Sequence, residues 1–216
     1  PIYQDIGYYY FYLDIANQIR ILKSVDLVNR TLDKLNFEVS YFLEGRFRTV
    51  EILDGNPFRV NANFNSANQF FEKKLNIRIL DYDRYRIFSE EVDGIDYEGY
   101  FDSLHVIGKA SIRLNRTTYL TPERADKLAD NRYQAVVHSR GHLVGKYRSR
   151  LRVENVEKTS ILTLTIEDEL SRRAVQFLDT LSNEYIEYTL EERYNINTRT
   201  IEYIDRQLGE VTQILN

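Results

Sequence analysis

The chain of 216 residues contains no cysteine, no methionine and no tryptophan, and only three prolines and nine glycines. Without cysteine, disulfides, thiolate catalysis and cysteine-ligated zinc sites are all excluded. No apolar run approaches the ~18–20 residues that a membrane-spanning helix needs, and no signal peptide opens the sequence. Because there is no methionine, Pro1 is not a translation start. We therefore read the chain as an excised domain whose flanks, including any membrane anchors, lie outside it.

The residues that are present indicate a folded protein. Hydrophobic residues make up 43 % and charged residues 29 % of the chain, which is typical of globular domains. The net charge of −4 disfavours non-specific binding to nucleic acid, so we expect no nucleic-acid partner. The scarcity of proline and glycine, with no internal repeat or linker, favours one compact body.

Residues 14–37 show helical periodicity in two stripes that are out of phase with each other. Ser24 lies between the stripes and can cap a new helix, with Asp26 favourably placed near its positive end. We predict two short helices, or one bent helix, joined at Lys23–Ser24. The apolar positions are Ile15, Ile19 and Leu22 in the first stripe, and Leu27 or Val28, Leu32 and Leu35 in the second.

Alternating apolar and polar residues predict short strands through the middle of the chain. The clearest hairpin pairs residues 147–157 with residues 160–168. The stretch EEVDGIDYEGYFD at 90–102 is rich in acid and we expect it to be a solvated loop. The other predicted strands are residues 38–43, 47–53, 58–64, 76–80, 85–89, 110–115 and 133–139.

A helical stripe begins after Asp168 and loses its phase near Glu192, where a heptad pattern replaces it. We expect the helix to continue there with a change of apolar face. Residues 195–216 alone would span ~33 Å as a helix, so they are expected to project from the body. We predict that the heptad residues contact another helix, and call them the seam: Tyr194, Ile201, Ile204, Leu208, Val211 and Leu215.

Together these patterns predict an α+β fold. A mixed, mainly antiparallel sheet would be covered on one face by the helices at 14–35 and 169–193, whose apolar stripes need a shared surface. We expect residues 1–193 to form the base domain and residues 194–216 to begin a long, truncated helix.

Two short motifs suggest chemistry, but neither is specific. His138 and His142 lie four apart in HSRGH, yet the glutamate of HExxH is missing and Gly141 suggests a strand or turn, so we expect surface histidines. Asp81 and Asp83 in DYD have the spacing of a divalent-metal pair, without a glycine-rich phosphate loop. No catalytic motif is present, and we predict no catalytic residue, metal or cofactor.

Two separated stretches resemble the Wzz-type polysaccharide co-polymerases, the chain-length determinants of bacterial surface polysaccharides. They are QIRILKSVDLVNRTLDKLNFEVSYF at 18–42 and the segment from LRVEN to DRQL at 151–208; NPFRV at 56–60 also fits. The residues that match are Ile19, Leu22, Lys23, Ser24, Leu35, Pro57, Phe58, Ala174, Phe177, Leu178, Leu181, Tyr185 and Gln207.

The resemblance implies a periplasmic domain of an inner-membrane protein, with a helical anchor before it and another after it. Members have an α/β base and a long helix, and they assemble into rings that set polysaccharide length. The implied partners are other copies of the chain, a polysaccharide polymerase or export channel, and the polysaccharide itself. The sequence departs from the family by lacking the anchors, the returning helix and a kinase motif, and residues 65–150 carry no signature.

Two alternatives stay open at the level of sequence. One is a glycan-acting enzyme that uses Asp81 and Asp83. The other is a periplasmic adaptor of an export machine, which would carry β-barrel and lipoyl-like modules rather than a helix returning to a second anchor.

Overall fold

A computed structural model describes residues 14–63, 70–107, 110–157 and 159–215. In these ranges the predicted α+β class is confirmed, with five helices and strands in three antiparallel sheets. The helices are α1 at 14–22, α2 (Val25–Asp33), α3 (Pro122–Ala129), α4 (Arg140–Arg150) and α5 (Ser171–Leu215). The strands are β1 (Val39–Glu44), β2 (Thr49–Ile52), β3 (Phe58–Asn63), β4 (Lys74–Ile79), β5 (Arg84–Phe88), β6 (Asp96–Tyr100), β7 (Leu104–Ile107), β8 (Ala110–Arg116), β9 (Arg132–Val137), β10 (Leu151–Asn155) and β11 (Leu162–Ile166).

The chain divides into two compact units. Unit 1 contains residues 14–35, Arg148–Glu167 and residues 174–215, and unit 2 contains Asn36–Tyr147 and Asp168–Arg173. The helices predicted to cover a single sheet thus share unit 1 with the two-stranded sheet of β10 and β11, while the larger sheets belong to unit 2.

Unit 1 begins with the predicted pair of short helices. Ser24 has an extended backbone, and its side-chain oxygen accepts a hydrogen bond from the Leu27 N–H at 3.1 Å, which caps α2. This confirms the predicted break at Lys23–Ser24. The buried apolar side chains of this unit are Ile15, Leu22, Leu27, Val28, Leu32, Leu151, Phe177 and Leu181.

The hairpin of unit 1 starts later than the sequence pattern predicts. Residues 147–150 end α4, and β10 begins only at Leu151. Leu143, Val144 and Tyr147 are all buried, and their spacing of three and four places them on one face of a helix. The burial of this face favours a helix at 147–150, where the alternating pattern alone predicted a strand.

Helix α5 is continuous from Ser171 to Leu215, which confirms the predicted continuation through the change of phase. At 1.5 Å per residue its 45 residues extend about 67 Å. Its buried positions end at Glu184. From Leu190 to Leu208 every side chain is exposed except the half-buried Thr198, so this part of α5 continues past the residues that it packs against in unit 1.

Unit 2 contains a six-stranded sheet in the order β2-β1-β9-β4-β5-β6 and a three-stranded sheet in the order β3-β8-β7. The predicted, mainly antiparallel pairing is confirmed, since every ladder between described strands is antiparallel and one isolated parallel bridge joins Phe71 to Val137. The strands form three separate sheets, however, where we expected one. The turn at Asp54–Pro57, with Gly55 at φ 83°, takes the chain from one sheet to the next.

The acidic stretch at 90–102 is not only a loop, because it includes the edge strand β6. Asp96 pairs across the strands with Arg86 at 2.7 Å, Gly99 is buried and Tyr97 is half-buried. The cross-strand ion pair neutralises charge that made this segment look like a solvated loop.

Candidate functional site

The two stretches that carry the resemblance meet at a buried carboxylate. Glu184 of α5 is only 1 % exposed and forms ion pairs with Lys34, which directly follows α2, and with Arg30 of α2. Lys34 also reaches Glu187 at 2.9 Å, and Arg30 reaches Glu191 at 3.3 Å. These contacts tie α2 to the middle of α5.

The same contacts shift the pKa values of the two cations. Hydrogen bonds from Lys34 to Glu184 and Glu187 raise the pKa of Lys34. The hydrogen bond to Glu191 raises the pKa of Arg30. Both side chains therefore remain cationic throughout the ordinary pH range, and the charge on Glu184 stays compensated.

The seam lies on the exposed part of α5. Tyr194, Ile201, Ile204 and Leu208 are between 50 % and 73 % exposed. Val211 and Leu215 continue the spacing, but their side chains lie outside those that the structure describes. The exposed apolar surface is broader than the sequence predicted, because Ile196 and Tyr203 are also 58 % and 59 % exposed.

Most of the signature residues are structural. Five of the matching side chains are buried, and Ser24 caps α2. Burial raises the pKa of Tyr185, which is half-buried on α5. The buried residues are Leu22, Pro57, Phe58, Phe177 and Leu181; the half-buried ones are Ile19, Leu35, Ala174 and Leu178; and the exposed ones are Lys23 and Gln207.

Asp81 and Asp83 do not form a shared metal site. The Asp81 carboxylate accepts hydrogen bonds from the Asp83 and Arg84 N–H groups at 2.9 and 2.8 Å and from Arg84 Nε at 2.7 Å. Slight burial raises the pKa of Asp81, but these hydrogen bonds outweigh it and lower the pKa overall. Asp83 pairs instead with Arg116 at 2.9 Å. Each carboxylate has its own arginine partner, which does not favour a glycan-acting enzyme that uses both of them.

The two histidines of HSRGH, for which the sequence predicts no metal site, form a cluster with a third side chain in the structure. His138 directly follows β9, whereas His142 lies in α4, so the expectation of a strand or turn was wrong for His142. The two imidazole rings stack at 5.7 Å with an angle of 11°. Glu72 joins them from a distant segment, with its Oε2 2.5 Å from His138 Nδ1 and 3.6 Å from His142 Nε2.

Neighbouring groups fix the orientation of this cluster. The Ser139 N–H donates to Glu72 Oε1 at 2.9 Å, and Ser40 Oγ lies 2.9 Å from His138 Nε2. Glu72 has a φ of 61°, in the left-handed region that a non-glycine residue rarely adopts, and its N–H donates to the Val137 carbonyl at 2.8 Å. The surroundings therefore hold the carboxylate in place against local backbone preference.

The connection Ser40–His138–Glu72 also has the order of atoms found in serine hydrolases. Such a nucleophile typically stands at a sharp, exposed turn next to oxyanion-binding N–H groups. Ser40 lies instead within β1, where it is paired with Val136 of β9. The cluster is better suited to orienting an imidazole than to activating a serine.

No family model and no curated protein matches this chain. Among the helices of the described residues, none combines the length and the apolar character needed to cross a bilayer.

Proposed function

We propose that this chain is a non-catalytic periplasmic domain of a polysaccharide co-polymerase, which regulates the length or export of a surface polysaccharide through homo-oligomerisation. One observation carries the proposal. Residues 14–35, 151–167 and 174–208 hold most of both resembling stretches, and they belong to one compact unit in which Glu184 joins α2 to α5. Segments that are more than 100 residues apart in the sequence thus pack together, which supports reading them as parts of one signature.

The seam on α5 supplies the surface for self-association. Burying large aliphatic side chains contributes about 1.5–3 kcal/mol each. Covering an exposed row of such side chains at heptad spacing with a second helix is therefore favourable. The partner helix comes from a neighbouring protomer or from a segment of the full protein that returns along α5.

The proposal places the protein at the inner membrane of a bacterium, with a polysaccharide polymerase or an export channel as its partner. It requires a gene that encodes an apolar segment of ~20 residues before this domain and another after it. Reading the complete gene and its neighbours checks this directly. A product without such segments would contradict the proposal, and β-barrel and lipoyl-like modules in it would favour an export adaptor.

The functional test replaces Ile204 and Leu208 with aspartate in the full-length protein. Two carboxylates placed on the seam would have to be desolvated on association, so we expect smaller crosslinked oligomers and an altered distribution of polysaccharide lengths. The measurements are crosslinking in cells and gel analysis of the surface polysaccharide.

A matched control replaces Arg199 and Arg206 with aspartate. Both residues lie on the same exposed part of α5, on the side of the heptad opposite Ile204 and Leu208. The control is expected to keep oligomer size and polysaccharide length. If the seam variant behaves like the control, the seam is not an interface.

A further inference from the structure

We propose that Glu72, His138 and His142 form a binding site for a divalent transition-metal ion, with Zn²⁺ as the foremost candidate. One ligand atom from each residue lies within 4.8 Å of the other two, and this is the one group of its kind in the described parts of the chain. Two imidazole nitrogens and one carboxylate oxygen form a ligand set of zinc sites that keep a fourth position open.

The distances from Glu72 to the two imidazoles suit an ion after a small adjustment. In a tetrahedral site with Zn–N and Zn–O bonds of about 2.0–2.1 Å, neighbouring ligand atoms are about 3.4 Å apart. Glu72 Oε2 and His142 Nε2 are already 3.6 Å apart. Glu72 Oε2 and His138 Nδ1 are 2.5 Å apart, which is a hydrogen-bonding distance. A metal ion would replace the proton that these two atoms share, and they would separate by less than ~1 Å.

The site is held by groups that orient its ligands. Because Ser40 Oγ contacts His138 Nε2, the Nδ1 atom is directed towards Glu72. The backbone N–H of His138 donates to the Glu38 carbonyl at 2.8 Å, and Ser139 fixes the second oxygen of Glu72. Outer partners of this kind determine the tautomer and ring orientation of a metal-binding histidine.

The three ligands differ in exposure, so the cluster is partly enclosed by protein and still open to an ion from solvent. The His138 side chain is 13 % exposed, Glu72 is 32 % exposed and His142 is 48 % exposed. An ion can therefore reach the cluster from the side of His142. Nitrogen ligands favour Zn²⁺, Ni²⁺, Co²⁺ and Cu²⁺, whereas Mg²⁺ and Ca²⁺ prefer oxygen ligands.

The experiment titrates the untagged chain with Zn²⁺ by calorimetry and with Co²⁺ by absorption spectroscopy. We expect one ion per chain, a Co²⁺ spectrum of low coordination number, and a rise in melting temperature with Zn²⁺. Loss of an outer partner weakens metal binding by about 10–100-fold. His142→Ala and Glu72→Gln each remove a ligand and should weaken Zn²⁺ binding by more than that. Ser40→Ala, which removes only such a partner, should fall within that range.

The control is His105→Gln, since His105 is the remaining one of three histidines in the chain. It should bind Zn²⁺ like the original protein. His142 is half-exposed, so its variant is expected to fold normally, and circular dichroism checks this. The proposal is overturned if Zn²⁺ produces no binding heat, if His142→Ala binds as tightly as the original chain, or if Mg²⁺ binds equally well.

Discussion

At the scale of single residues, unit 2 contains a group of buried polar atoms that have no hydrogen-bond partner of normal geometry among the described residues. They are the hydroxyls of Tyr85 and Tyr97 and the Nε2 atom of His105. Gly99 makes room for them, because a Cβ there would lie 2.9 Å from the Tyr85 hydroxyl and 2.8 Å from His105 Nε2. Burial, followed by the neighbouring Tyr97, raises the pKa of Tyr85 well above its usual value.

An unpaired buried hydroxyl costs free energy, so its removal should not destabilise the protein. We expect Tyr85→Phe to leave the free energy of unfolding unchanged or to raise it by up to about 1 kcal/mol. The matched control is Tyr133→Phe. The Tyr133 hydroxyl is hydrogen-bonded to Asn131 Nδ2 at 3.1 Å, and its loss should cost about 1 kcal/mol. Urea unfolding of both variants measures the difference, and equal losses would contradict this account.

At the scale of elements, the charged groups in the contact between α2 and α5 differ in burial. Glu184 is buried, while Arg30 and Lys34 have side chains that are 36 % and 52 % exposed. Removing the carboxylate leaves two cations that water can solvate. Removing the cations leaves a buried charge without compensation, which is the more costly change.

We therefore expect Arg30→Met combined with Lys34→Met to lower the free energy of unfolding more than Glu184→Gln does. Adding Glu184→Gln to the double variant should recover part of the loss, because the uncompensated charge is then gone. Chemical denaturation of the four proteins measures this cycle.

A control for that cycle is Arg199→Met with Arg206→Met on the exposed part of α5. It removes the same number of positive charges and should stay within about 0.5 kcal/mol of the original protein. If the double variant at Arg30 and Lys34 loses no more stability than this control, the buried carboxylate does not hold the two helices together.

At the scale of the whole molecule, acid stability reflects several aspartates that lie beside arginines. Hydrogen bonds from Arg86 lower the pKa of Asp96. Burial raises the pKa of Asp102, but hydrogen bonds from Arg116 outweigh it, and Arg84 has the same net effect on Asp81. A pKa that is lower in the folded chain adds stability above the unfolded value of about 3.9 and loses it as the pH falls through the folded value.

The combined variant Asp81→Asn, Asp96→Asn and Asp102→Asn should thus lose less stability than the original protein between about pH 4 and pH 2. The measurement is the urea midpoint across this range. A control variant carries Asp93→Asn, Asp126→Asn and Asp179→Asn, which are exposed aspartates outside these ion pairs. If both variants show the slope of the original chain, the arginine contacts do not govern acid unfolding.

Features that depend on neighbours along the chain could be predicted from the sequence. The joint at Ser24, most strands and the continuous α5 follow from local periodicity and capping, and the structure has them. The exposed seam follows from heptad spacing in the same way. The resemblance behind the proposed function is also a pattern along the chain, and the contact of α2 with α5 supports it.

Contacts between residues that are distant in the sequence became visible only in the folded chain. Glu72 and His138 are separated by 66 positions, and nothing near HSRGH in the sequence indicates a glutamate partner. Likewise, Arg116 neutralises Asp83 from 33 positions away, and pairing with β5 makes a strand of an acidic segment. Strand order and side-chain clusters depend on which surfaces are buried together in three dimensions. A contact of that kind has no period along the chain, which is why a single sequence does not reveal it.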